Sequence, residues 1–101
     1  MNDIPIACDL SKLTKEQHLR ERELLARFRK AASVLKQETD ALEFSWPGDP
    51  ESLAELGEFV GLERLCCPFL TFELRVSKDA AVLMVSGLPG SGAVLTAEFL
   101  A

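Results

Sequence analysis

Two thiols and a carboxylate crowd one short stretch, Glu63-Arg64-Leu65-Cys66-Cys67-Pro68-Phe69. Cys66 and Cys67 follow Glu63 by three and four residues, spacings that share one face of a helix. Thiolates and carboxylates are ligands for a soft or borderline cation, and thiolates are also the nucleophiles of sulfur transfer. On a wheel of 100° per residue, Leu53, Leu56, Phe59, Val60, Cys66 and Cys67 form an apolar arc, and Glu63 falls inside it. A carboxylate on a core-facing stripe must be paired, protonated or bound to a cation. The plainest account gives it an arginine partner, with Arg20, Arg22 and Arg75 as candidates.

The thiols have a plain account too, because free cysteine packs as a small buried hydrophobe. Their position matters for chemistry. A helix C-terminus is the negative end of the dipole, and with Glu63 it raises a thiol pKa. That speaks against an activated nucleophile and for thiolates that form only when a cation compensates them. Cys8 is a third thiol, on the apolar phase of a predicted strand, either as core or as a further ligand. Two thiolates suffice for Hg(II) or Cu(I), and three with Glu63 would suit Zn(II), although no Cys-x-x-Cys is present. A disulfide between the adjacent Cys66 and Cys67 would be a strained ring and is disfavoured. His18 stands in the first turn of a charged helix and reads as solvated. No Ser-His-Asp or paired-carboxylate arrangement offers a catalytic residue, and the glycine-rich stretch 87–92 lacks the Lys-Ser/Thr of a phosphate loop.

The elements that must position these groups follow from periodicity and punctuation. Alternating Ile4, Ile6, Cys8 and Leu10 predict a first strand with Pro5 near its start. Thr14 and Gln17 form a capping box, so a long helix starts at Lys15, with Leu24, Leu25, Phe28, Ala31, Ala32 and Leu35 as its apolar stripe. Leu42, Phe44 and Trp46 alternate as a second strand. Asp49 as N-cap and Pro50 at the first position open a second helix, which Pro68 ends, leaving Cys66 in its last turn and Cys67 at the boundary. Residues 69–76 and 80–86 predict a hairpin, with Leu70, Phe72, Leu74 and Val76 on one face, and residues 93–100 a short helix. The expected fold is a single α+β domain over residues 1–101: a two-layer sandwich ordered β-α-β-α-β-β-α, with a four-stranded mixed sheet and helices on one face. A right-handed crossover would join its first two strands if they were parallel. No repeat is visible in the residues.

Composition bounds the function classes. Sixteen acidic against eleven basic residues give a net charge of −5, and no basic run stands free of glutamate, which disfavours nucleic acid as a partner. No apolar run approaches the roughly 20 residues of a membrane span, and residues 1–5 carry no signal-peptide pattern. An odd number of cysteines fits free thiols in a reducing cytoplasm. A sheet covered on one side only would favour a homodimer if its open face were apolar, with Trp46 and Phe69 as interface or core.

The segment Ile6-Ala7-Cys8-Asp9-Leu10 and, above all, Glu63-x-x-Cys66-Cys67-Pro68-Phe69-Leu70-x-Phe72-x-Leu74 resemble a family of small bacterial proteins. Similar segments extend some heavy-metal regulators of the MerR type. The resemblance implies an association with heavy metals, with Cys8, Glu63, Cys66 and Cys67 as the positions concerned. This chain carries no helix-turn-helix, so regulator activity does not follow. The expected order of elements is also similar to that of the TusA/SirA sulfur carriers, but those have Cys-Pro where this chain has Cys8-Asp9. Three functions are therefore open: a domain binding a thiophilic ion (Hg, Cu or Zn), a structural or interaction domain with buried cysteines, and a sulfur or redox carrier.

Overall fold

The fold is α+β, and three helices cover one face of a four-stranded antiparallel sheet in a computed structural model that describes residues 5–100. The elements are α1 (Lys15–Ala31), β1 (Ser33–Glu38), β2 (Ala41–Trp46), α2 (Pro50–Cys66), β3 (Leu70–Val76), β4 (Ala81–Gly87) and α3 (Gly92–Phe99). A 3-10 turn at Leu10–Lys12 precedes α1.

The first predicted strand is corrected. Ile4 lies outside the described residues, and the rest of that segment forms no strand. Asp9 instead turns the chain, its carboxylate accepting from Ser11 N at 3.0 Å, while its own N–H donates to Cys66 O at 2.6 Å. Tertiary contacts and an Asx cap thus outweigh a short alternation. The fourth strand comes from Ser33–Glu38, the stretch into which the sequence extends the apolar stripe of α1. Ala32 closes α1, and Leu35 lies on the strand, 54% exposed. β1 is a solvated edge strand, exposed along its whole length, so it lacks the half-buried alternation that marks strands in sequence.

The sheet order is β1-β2-β4-β3, and every pairing is antiparallel, so the expected mixed sheet and its crossover are replaced by two hairpins joined through their inner strands. The register places Leu42, Phe44 and Trp46 opposite Val85, Leu83 and Ala81 on the face that packs against the helices. Phe28 from α1 sits at the centre of this core. It meets Phe44 edge-on at 4.9 Å, stacks on Phe59 at 4.9 Å and on Trp46 at 5.6 Å, and meets Phe99 at 5.9 Å. Trp46 and Phe69 are both buried, and Trp46 Nε1 donates to Ser52 O at 2.7 Å. The opposite face is not uniformly apolar, for Glu43, Glu73 and Lys36 flank the half-buried Met84.

The arrangement is a helix–hairpin unit used twice, α1-β1-β2 and α2-β3-β4, with α3 added. Leu56, Phe59 and Glu63, buried in α2, repeat the spacing of Glu21, Leu24 and Phe28, buried in α1. The ion pairs Arg20–Glu58 and Arg27–Glu55 show that the two helices run antiparallel. Each helix therefore buries one glutamate, and the antiparallel packing brings the start of α1 to the end of α2.

Candidate functional site

Three helices and the N-terminal segment converge at the end of α2. Asp49 accepts from Ser52 N at 3.0 Å and starts that helix, with Pro50 in its first turn, as the sequence leads one to expect. At its other end Cys66 is the last helical residue, and Cys67 is the cap, its N–H donating to Glu63 O at 2.8 Å. The backbone at Cys67 leaves the helical region, as a residue before proline must.

The structure brings together all four residues singled out in the sequence. Cys66 Sγ lies 3.7 Å from Cys67 Sγ and 3.6 Å from the Glu63 carbonyl oxygen. Cys67 Sγ lies 3.6 Å from Glu63 Oε2. Cys8 is joined to Cys67 in a disulfide, with the Cα atoms 4.3 Å apart. This pairing is absent from the sequence reading, which weighs Cys8 only as core or ligand, and it leaves Cys66 as the free thiol. A disulfide sulfur has no proton to donate, so the approach of Cys67 Sγ to Glu63 is a packing contact while that bond is closed.

Glu63 is fully buried and has no ion pair among the described residues. The expected arginine partner is corrected. Arg20 is held by Glu58 at 2.8 Å and Glu23 at 3.1 Å, and neither Arg22 nor Arg75 makes an ion pair among the described residues. Glu63 instead faces two more carboxylates, Glu21 of α1 and Glu98 of α3, with oxygens that all lie within 4.8 Å of one another. Burial pushes the Glu63 carboxyl up to about 10, with its contact to Glu21 and the charges of Glu98 and Glu21 adding to the shift and Arg29 opposing it. Glu63 is therefore neutral at pH 7. Burial also raises Glu98, with Glu21 adding and Arg29 opposing. The same burial, followed by the charges of Glu63, Glu21 and Glu98, pushes the Cys66 thiol up to about 12.

Arg29 opposes the shifts at Glu63 and Glu98 through its charge, but its Nε and Nη2 donors are turned elsewhere. It binds the main chain at the end of α3, giving hydrogen bonds of 2.6 and 2.9 Å to Glu98 O and one of 3.3 Å to Ala97 O. At the other end of α3, Asp40 from the β1–β2 turn accepts from Gly92 N at 2.9 Å and Gly90 N at 3.4 Å. These two residues fix the helix that delivers Glu98. Gly92 permits the approach, since a Cβ there would collide with Thr39 O. Sequence reasoning misses Glu21, Glu98, Arg29 and Asp40. Glu21 falls one turn before the apolar Leu24 and Leu25, and that phase is the one signal the sequence offers for it.

An open cleft of about 290 Å3 reaches this group from outside, lined by Cys8, Glu21 and Glu98, with His18, Arg22 and Arg29 beside them. No helix is long and apolar enough to cross a membrane among the described residues. In comparison with known proteins, the chain matches no family model, no curated protein and no solved structure.

Proposed function

We propose that the reduced protein binds one thiophilic metal ion through Cys66 and Cys67, with Cys8 as a third sulfur and Glu63 as a neighbouring carboxylate, and serves in sequestration, sensing or transfer of that ion. One observation carries this reading: the sulfurs of Cys66 and Cys67 and an oxygen of the buried Glu63, which has no ion pair among the described residues, lie within 4.8 Å of one another, with Cys8 bonded to Cys67. Soft sulfur donors select Hg(II), Cu(I) or Zn(II) over hard ions. A cation would replace the protons that burial imposes on Glu63 and Cys66, which makes binding proton-coupled. The closed Cys8–Cys67 disulfide withholds two of the three sulfurs, so the reading applies to the reduced state. The heavy-metal association implied by the Glu-x-x-Cys-Cys-Pro-Phe resemblance points the same way.

The disulfide and the complete burial of Cys66 favour a second reading, in which the cysteines are structural and hold the N-terminal segment to α2. A persulfide carrier is least favoured, because a thiol raised to about 12 yields almost no thiolate at neutral pH. Native mass spectrometry separates the readings. Fully reduced protein is offered Hg(II), Cu(I) and Zn(II) in equal amounts, beside oxidised protein and a Cys66→Ser/Cys67→Ser variant. Retention of one ion by the reduced protein alone is the expected result. No retained ion would sink the metal reading and leave the structural one.

A further inference from the structure

The carboxylates behind the sulfurs form a separate group with a different chemistry. Glu21, Glu63 and Glu98 come from three different helices and place their oxygens within 4.8 Å of one another. Buried acids are normally matched by a donor. Here Glu21 Oε2 and Glu63 Oε1 have no hydrogen-bond partner, and their residues are 2% and 0% exposed. These unpartnered oxygens are independent of the acidic composition of the cluster, for a buried group of this kind needs a ligand or a proton. Arg29, which also lines the cleft, gives its Nε and Nη2 donors to the carbonyls of Ala97 and Glu98.

We infer that Glu21, Glu63 and Glu98 form a second cation site, for a hard divalent ion such as Mn(II), which shares Glu63 with the thiol group and opens onto the cleft beside Cys8. Oxygen donors with no sulfur select hard ions. An octahedral ion with bonds of about 2.1 Å places its oxygens about 3 to 4 Å apart. One oxygen from each glutamate lies within 4.8 Å of the others, so the three must close inward onto a bound ion. Three carboxylates would leave the remaining positions to water from the cleft, in keeping with the reluctance of such ions to shed their hydration. The half-buried Glu98 supplies the exposed side of the site, and Glu21 and Glu63 the buried side. This site does not need reduced sulfur, so it stands or falls apart from the thiophilic reading.

Mn(II) itself is the probe. Protein with its disulfide closed, verified by intact mass, is titrated with Mn(II) while the six-line electron paramagnetic resonance signal of the free ion is followed. One equivalent should be bound at neutral pH. Glu21→Gln and Glu98→Gln should each weaken that binding at least tenfold, whereas Cys66→Ser should leave it within twofold. Glu98→Gln is a neutral change at a partly exposed position, so loss of binding there cannot be ascribed to unfolding if its circular dichroism matches the wild type. Free Mn(II) throughout the wild-type titration would overturn the inference and leave protons as the balancing charge. Equal binding by wild type and Glu21→Gln would overturn it as well. Retention of Hg(II) by reduced Glu21→Gln would show that the thiol group survives loss of this one.

Discussion

At the scale of the residue, the informative atoms are the oxygens of Glu63. A carboxylate in the apolar arc of a helix is a debt that the sequence itself displays, and of the three ways to meet it the structure removes the arginine. The consequence for stability has a definite sign. The folded protein holds a proton on Glu63 up to about pH 10, whereas an unfolded glutamate releases it near 4.5. The folded state therefore binds more protons throughout that window, and stability must fall as pH rises through it, by up to about 1.4 kcal/mol per unit. Glu98, whose carboxyl burial also raises, and the Cys66 thiol, pushed up to about 12, add losses of the same sign, while the charge of Arg29 opposes the shift at Glu63. In metal-free protein with the disulfide closed, urea unfolding at pH 5, 7 and 9 should show declining stability for the wild type. Glu63→Gln should flatten that dependence and be the more stable protein by a few kcal/mol at pH 9. A wild-type profile already flat would mean that Glu63 is ionised in the fold. The anomaly at Glu63 and the meeting of Cys66 with Cys67 were legible in the sequence because both lie on one helix. The Cys8–Cys67 bond and the approach of Glu21 and Glu98 depend on how separate elements pack, and no local pattern records that.

At the scale of the element, α2 and α3 differ in what holds them. The start and end of α2 are written in Asp49, Pro50 and Pro68, which act within a few residues of chain, and so its bounds could be read in advance. The last helix has no side-chain cap of its own, and its first N–H, that of Gly92, is served from Asp40, 52 positions away, which also accepts from Gly90 N just before the helix. Its C-terminal carbonyls are served from Arg29 on α1, a cation at the negative end of the helix dipole. The same reach explains why the sequence extends the stripe of α1 to Leu35: an exposed edge strand owes its state to its partner β2 and not to its own alternation. Asp40→Ala should therefore lower stability by about 1 kcal/mol, the ordinary cost of losing an N-cap. Since α3 also carries Glu98, amide exchange over residues 93–99 should rise in this variant while exchange in α2 stays unchanged. Uniform loss of protection would show instead that α3 has no independence from the core.

At the scale of the whole molecule, the doubled helix–hairpin unit gives the site its location. Two antiparallel helices of equal length, in which Glu21, Leu24 and Phe28 of α1 share their spacing with Leu56, Phe59 and Glu63 among the buried positions of α2, put the second turn of α1 against the last turn of α2. Glutamate is the first of these three in α1 and the last of these three in α2, and the topology turns that inverse placement into proximity. The repeat was invisible in the residues because the two copies share burial phase and not side chains. The segment before α1 lies outside this repeat, and it is tied down by the Cys8–Cys67 bond and the hydrogen bond from Asp9 N to Cys66 O. The bond spans 59 positions, so by chain entropy alone opening it should cost about 4 kcal/mol, with losses of about 2 to 4 kcal/mol typical in practice. A thiolate-bound ion that bridges the same cysteines would close the same loop. The reduced protein should therefore melt several degrees below the oxidised one and regain stability with one equivalent of a thiophilic ion, because a ligand that binds the folded state alone stabilises it. Cys8→Ser separates the two contributions. It should remove the difference between oxidised and reduced protein, while a Cys66–Cys67 ion site would still raise the melting temperature. An ion effect that vanished with Cys8 would make the third sulfur an obligatory ligand, and the N-terminal segment would then be part of the metal centre.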